Sequence, residues 1–254
     1  MSDESRPPGS TGARPSDVVL AVLGVADQRR TELGHPLGVL DLGGGTGGVA
    51  VSLAAAGHHV TVVDPSPDAL AALGRRVQEA GLSERVRAVQ GDGDSLAAVL
   101  DGGHVDVVCC HETLEFVDDP QATLRAIAAV LSPGGVLSLL VTGRLAVVLA
   151  KAIAGEFAQA RSALVDPSGR WGEQDPLPRR FDLDDLEAQL AAAGFTIEKV
   201  RGSNIVGHLV SAKLIETDAD RAALAELDDL LVAGPGREFL RTLGSGLHII
   251  ARRA

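Results

Sequence analysis

An α/β fold with a doubly wound, mostly parallel sheet is what this sequence predicts, and three observations predict it. Short apolar runs alternate with helix-forming stretches from Gly38 to Val141, the pattern of a parallel sheet joined by right-handed crossovers. The first run ends in a glycine cluster, Gly43-Gly-Gly-Thr-Gly-Gly48. The second run ends in an acid, Asp64, 21 residues after Gly43. In such sheets ligands bind at the carboxyl ends of the strands.

Taken in order, residues 1–16 are rich in Ser, Pro, Gly and Arg and read as a flexible leader. The rest, residues 17–254, reads as one domain. Asp17 starts a first helix over Val18, Val19, Val22 and Leu23. Gly38–Leu42 is a strand, and Val49–Ala56 a helix stopped by Gly57. A strand over Val60–Val63 ends at Asp64, and a helix over Pro67–Ala80 stops at Gly81. Val86–Val89 is a strand ending near Gly91 and Asp92, followed by a short helix from Asp94 to Leu100. Val105–Cys110 is a strand with His111 just past its end, and Asp119–Leu131 a helix. Ser132-Pro-Gly-Gly135 is a turn into the strand Val136–Val141. Beyond it, Ala146–Ala160 reads as one helix and Asp166–Arg180, with three prolines and two glycines, as a loop or lid. A helix over Leu183–Ala193, a strand over Phe195–Arg201, a charged helix over Ala219–Ala233 and a strand over Gly246–Arg252 complete the chain.

The chain has 254 residues, with 45% hydrophobic and 22% charged, a globular composition. Lys plus Arg number 23 against 34 Asp plus Glu, a net charge of −11. Such an average repels phosphate backbones, so DNA is not an expected partner. With one Trp, five Phe and no Tyr, base-stacking platforms are scarce. Cys109 and Cys110 are adjacent in an apolar run, so they point to opposite faces and cannot frame a disulfide. No Cys/His spacing suggests a metal. Neither the apolar segment Val18–Ala26 nor Val136–Ala154, which carries Arg144 and Lys151, reads as a signal or membrane span. The expected location is cytoplasmic.

Gly43, Gly45 and Gly48 satisfy G-x-G-x-x-G, and with Asp64 this fits a dinucleotide fingerprint. A nicotinamide-dependent reductase is one reading. Asp41, just before the loop, argues for another: a pyrophosphate would meet an added negative charge there, whereas the ammonium and sulfonium of S-adenosylmethionine would gain from it. The pattern apolar-Asp-x-Gly-x-Gly resembles motif I of class I methyltransferases. Asp64 then resembles the acid that holds the ribose diol, and Gly91-Asp92-Gly93-Asp94 falls where that family contacts adenine. A non-catalytic protein that binds S-adenosylmethionine is a third reading.

The segments Cys110-His-Glu-Thr-Leu-Glu-Phe-Val-Asp-Asp-Pro120, Leu131-Ser-Pro-Gly-Gly-Val-Leu-Ser-Leu-Leu140, Ala154-Gly-Glu-Phe157 and Leu243-Gly-Ser-Gly-Leu-His-Ile249 resemble the bacterial tRNA 5-carboxymethoxyuridine methyltransferases. The resemblance spans about Leu37 to Arg252. It implies a Rossmann-like sheet of seven strands, the last antiparallel, with helical cap insertions at about 143–180 and 202–245. It implies S-adenosylmethionine as cofactor, with Gly43, Gly44, Asp64, Asp92, Gly93 and His111 as its contacts; Asp41 and Gly45 join them from the loop itself. It implies methyl transfer to an oxygen, with a modified tRNA wobble uridine as the first acceptor.

The lid departs from that family's lysine-rich pattern: Arg161, Arg170, Arg179 and Arg180 are offset by Asp166, Glu173 and Asp175. Asn204 stands where the family carries an arginine, so a carboxylate-binding fork is lost. With the acidic, aromatic-poor composition, this supports a small-molecule acceptor as the alternative. Candidate acceptor-site residues are Glu115, Trp171, Arg179, Asn204 and His208. Glu112 and Glu115 also suit the first turn of the following helix. His111 is the candidate catalytic residue, with cofactor packing as its other reading.

Overall fold

The structure, a computed structural model, describes residues 17–211, 214–234 and 237–254. The leader expected over residues 1–16 lies outside the described residues.

One sheet of seven strands carries the fold, in the order β3-β2-β1-β4-β5-β7-β6. The strands are β1 (Gly38–Leu42), β2 (His59–Asp64), β3 (Val86–Gln90), β4 (Val105–His111), β5 (Leu131–Thr142), β6 (Phe195–Ser203) and β7 (Gly246–Arg253). The pairings among β1 to β5 are parallel, and β7 runs antiparallel to both of its neighbours. The order reverses between β1 and β4, which opens a crevice at their carboxyl ends.

The helices of the sheet region are α1 (Asp17–Leu33), α2 (Gly48–Ala55), α3 (Pro67–Glu79), α4 (Leu96–Val99) and α5 (Pro120–Val130). Local chemistry sets their starts. Ser66 accepts the Ala69 N–H at 3.2 Å ahead of Pro67, and Asp119 accepts the Ala122 N–H at 3.0 Å ahead of Pro120. After β5 come α6 (Arg144–Ile153), α7 (Phe157–Val165) and α8 (Leu183–Ala192); after β6 come α9 (Asp218–Ala233) and α10 (Arg237–Leu240).

The period of two along the strands sorts side chains into two cores. Val39, Val107, Cys109, Val136 and Ile250 pack with Val22 and Ala26 of α1, Ala50 and Leu53 of α2 and Leu73 of α3. Leu40, Leu42, Val108, Cys110 and Leu137 pack on the other face with Leu124 and Ile127 of α5 and Leu186 and Leu190 of α8. The two free cysteines therefore fill opposite cores. Each fully buried leucine or isoleucine contributes about 1.5–3 kcal/mol of transfer free energy.

Three sequence expectations need correction, and one short element went unforeseen. The strand expected from Val136 already pairs at Leu131, opposite Val105, and the Pro133-Gly134-Gly135 turn forms an irregularity before Val136 meets Val107. The single helix expected over Ala146–Ala160 is two, because Gly155 adopts φ +77° and ends the first turn sequence. The helix expected from Asp94 to Leu100 begins as a 3-10 turn over Gly93–Ser95. The short helix α10 was not signalled, since four residues are too few for a periodic pattern. No described helix is long and apolar enough to cross a membrane.

Candidate active site

The glycine cluster links β1 to α2. Gly43 takes φ +71°, donates its N–H to Val63 O at 2.7 Å, and leaves no room for a Cβ against Thr113. Only glycine satisfies both demands. Gly44 lies over Asp41, whose Oδ2 would stand 2.5 Å from any added Cβ. Gly45 donates its N–H to Asp64 Oδ2 at 2.9 Å, and the Ser66 N–H reaches Asp64 Oδ1 at 2.9 Å. Asp64 is thus held rigidly at the end of β2, with lone pairs left on both oxygens.

Asp41 is 2% exposed, and its Oδ2 has no hydrogen-bond partner among the described residues. Burial, with the nearby Asp64 charge second, pushes its carboxyl up to about 7. Asp92 sits after β3 as the cap of the 3-10 turn, its Oδ1 accepting the Asp94 N–H at 3.1 Å. Gly93 is buried against Thr123.

His111 ends β4 beside the glycine loop. Its Nε2 lies 2.9 Å from Ser138 Oγ on β5, and Ser138 Oγ lies 2.8 Å from His248 Nε2 on β7. Burial, then the neighbouring His248, pushes His111 down to about 3; burial, then Arg201 and Lys199, pushes His248 down to about 4. Both imidazoles are therefore neutral at physiological pH.

A cavity of about 690 Å³ opens over the ends of β4 and β5. His111, Glu112, Thr142, Asn204, Asp228 and Asp229 are among its walls, with Asp17 and Val18 of α1 and Val49 of α2. Glu112 is held at φ +51°, with its N–H donated to Leu140 O at 2.8 Å. A non-glycine residue in that region stores strain of about 1–3 kcal/mol. The cavity wall carries four carboxylates, from Asp17, Glu112, Asp228 and Asp229, and no Lys or Arg among the described residues.

The sequence candidates divide accordingly. Asp41, Gly43, Gly44, Gly45, Asp64 and His111 gather at the ends of β1, β2 and β4, and Asp92 and Gly93 follow β3. Asn204 lines the cavity, with φ +53° and its Nδ2 on Ser245 Oγ at 2.9 Å. The other acceptor candidates lie outside the cavity wall. Glu115 is buried and its Oε1 accepts the Thr142 N–H at 2.6 Å, tying the loop after β4 to the end of β5. Burial pushes its carboxyl up. Trp171 lies under Lys151 Nζ, 4.1 Å from the ring centroid. Arg179 donates to the carbonyls of Leu114, Val117 and Asp118. His208 Nδ1 lies 2.6 Å from Asn204 O.

Sequence reasoning missed the Ser138–His248 pair and the cavity role of Glu112. Ser138 and His248 sit on strands β5 and β7, inside two of the segments that carry the family resemblance, and only the register brings them together. Alternation in two apolar runs, each carrying one polar residue on the same face, was the available signal.

Comparison with known proteins adds the class. Residues 40–139 match the family model for a methyltransferase domain. The chain is 29% identical over 228 residues to the tRNA 5-carboxymethoxyuridine methyltransferase of Escherichia coli K12, covering 89% of this chain and 84% of that one. It is 35% identical over 166 residues to a ubiquinone biosynthesis O-methyltransferase of Xanthomonas axonopodis pv. citri, covering 65% and 64%. Its fold matches magnesium protoporphyrin IX methyltransferase from Synechocystis PCC 6803, solved with bound S-adenosylhomocysteine, with TM-score 0.58 at 19% identity, over 93% of this chain and 83% of that one. Sheet order, antiparallel β7 and glycine loop define the class I methyltransferase fold. This chain is a class I methyltransferase, an enzyme that uses S-adenosylmethionine. The nicotinamide and non-catalytic readings fall with that finding.

Proposed function

We propose that the enzyme methylates a hydroxyl oxygen of a small molecule that carries no net negative charge. The observation that carries this reading is the cavity, walled by Asp17, Glu112, Asp228 and Asp229 with no described Lys or Arg. Arg201 beside the cavity pairs with Asp17 and Asp229, and Glu112 and Asp228 remain to disfavour an anionic acceptor, whereas a hydroxyl finds oxygens to take its proton.

The residues before the cavity fit the cofactor. Asp64 has a free lone pair on each oxygen for the two ribose hydroxyls. The buried Asp41 Oδ2 beneath Gly44 has no partner among the described residues, and burial pushes its carboxyl up, so a nearby cation would favour its ionised form. Gly43, Gly44 and Gly45 leave the backbone open to close approach, and Asp92 and Gly93 would flank the adenine. When bound, S-adenosylmethionine supplies an activated methyl group on a sulfonium. His111, neutral at the end of β4, would contact the cofactor without adding charge. The protein's own part is alignment and a proton acceptor. Glu112 faces the cavity and takes the hydroxyl's proton. The segments 143–180 and 202–245 would close over the acceptor.

A second reading, tRNA methylation, draws support from the tRNA 5-carboxymethoxyuridine methyltransferase relative, 84% of whose length this chain matches. The experiment offers labelled S-adenosylmethionine with tRNA in one reaction and an RNA-free small-molecule extract in another. Label in the extract is the expected outcome, and Glu112→Gln should slow that transfer on the order of 10²-fold with cofactor affinity unchanged. Label in tRNA alone would overturn the small-molecule reading.

A further inference from the structure

We propose that Ser138 and His248 are positioning residues that fix His111 as a hydrogen-bond donor, its Nδ1–H turned to the acceptor oxygen. The three side chains lie on one sheet face, across β4, β5 and β7, with His111 Nε2 2.9 Å from Ser138 Oγ and Ser138 Oγ 2.8 Å from His248 Nε2. A serine hydroxyl has one hydrogen. It can donate to one imidazole and accept from the other; if it accepted from both, its hydrogen would lack an acceptor, since no other partner of Ser138 Oγ is found among the described residues. Two proton arrangements follow, and they leave His111 Nδ1 either as a donor or as an acceptor.

Charge selects between them. His248 is the register partner of Arg201 on β6, on the side of β7 opposite Ser138. Directly opposed residues of an antiparallel pair share a face. Nε2 faces Ser138, so Nδ1 is the nitrogen left to answer the positive charges of Arg201 and Lys199 on β6, which push the His248 imidazole down. A lone pair there is favoured over an N–H. His248 then donates Nε2–H to Ser138, and Ser138 donates to His111 Nε2. His111, in the wall of the carboxylate-lined cavity, is left with Nδ1–H. Carboxylates at the cavity end favour the same polarity.

The consequence rests on the hydroxyl reading above. His111 Nδ1–H and the Glu112 carboxylate, neighbours on the chain and both in the cavity wall, form a donor–acceptor pair. One holds a hydroxyl's oxygen and the other its hydrogen, and a remaining lone pair is left to meet the methyl group. His111 is on this account not the base.

The test is the ¹⁵N chemical shift of the His111 ring in the full chain, with and without S-adenosylhomocysteine, at pH 7.5. This readout needs no acceptor. The expected result is the Nδ1–H tautomer in the wild type, its loss in Ser138→Ala and its retention in Ser138→Thr, which keeps the hydroxyl. In single-turnover transfer of labelled methyl into the small-molecule extract, Ser138→Ala should be at least tenfold slower with cofactor affinity within twofold, and Ser138→Thr should recover most of the rate. An Nε2–H tautomer, or one indifferent to Ser138→Ala, overturns the proposal. So does a loss of rate matched by an equal loss of cofactor affinity, the mark of a purely structural role. If label enters only tRNA while the tautomer behaves as stated, the hydroxyl small-molecule reading fails and the positioning role stands.

Discussion

Asp41 is a carboxyl that burial and Asp64 push up to about 7, against an ordinary 3.8. An acid raised in the folded state holds its proton where the unfolded chain has lost it. Its contribution to stability is therefore fully present below pH 3.8 and is lost as pH rises through about 7. The apo-protein should melt at a lower temperature at pH 8 than at pH 6, and Asp41→Asn should flatten that difference. Cofactor affinity should move the opposite way. The cation gains from the ionised form, so affinity should rise from pH 6 to pH 8 in calorimetric titrations, and Asp41→Asn should remove the trend. Asp64 carries a different prediction. Its carboxylate would make charge-assisted bonds to a ribose, each on the order of 1.5–3 kcal/mol. Asp64→Ala should weaken S-adenosylmethionine binding by at least tenfold, and an unchanged affinity would displace the ribose from this end of β2. These two acids were legible in the sequence because a glycine loop and the strand after it have fixed spacing. Glu112 was not, because its orientation comes from a left-handed backbone locked by Leu140 O, a contact across strands.

At the scale of elements, the lid over residues 166–180 shows how charge can be absorbed inside a fold. Its three arginines, Arg170, Arg179 and Arg180, all bond within the chain. Arg180 meets Asp175 at 2.6 and 2.9 Å, both buried; Arg179 meets three carbonyls; Arg170 meets the carbonyls of Gly172 and Glu173. Burial alone would raise the Asp175 carboxyl, but the hydrogen bonds from Arg180, Trp171 and Leu177 outweigh it and hold it low. This pair anchors the loop. Arg180→Ala leaves a buried carboxylate unpaired and should cost about 3–5 kcal/mol, lowering the melting temperature by roughly 10 °C. A change below about 2 °C would mean the loop is anchored elsewhere. Composition could not foretell this, since an arginine's partner is decided by tertiary packing. The strands and helices were legible because each is bounded by glycine, proline or a capping acid. The break at Gly155 was not, because one glycine inside an alanine-rich stretch is compatible with a continuous helix until its φ is known.

At the scale of the whole molecule, net charge and its placement decide between acceptors. Binding of tRNA draws its affinity from cations that displace counterions, and each such contact adds about 0.7–0.9 to the slope of log K against log salt. This chain carries −11 overall, and four of its carboxylates line the cavity without a described Lys or Arg in the wall. The lid arginines of residues 170, 179 and 180 are committed to internal bonds, as is Arg144, which pairs with Asp182 at 2.9 Å and donates to the carbonyls of Asp166 and Pro167. Arg201, beside the cavity, pairs with Asp17 and Asp229. Arg144, Arg180 and Arg201 are thus each paired with a carboxylate, while Arg170 and Arg179 are held in place by backbone carbonyls. Fluorescence anisotropy with labelled bulk tRNA at 50–200 mM salt, a range spanning the steep part of counterion release, should show weak binding with a slope of magnitude below about 2. A slope of about 5 or more would require several free cations on one face. It would place the nucleic acid on a surface away from the acidic cavity wall, and the small-molecule acceptor would then lose its electrostatic basis.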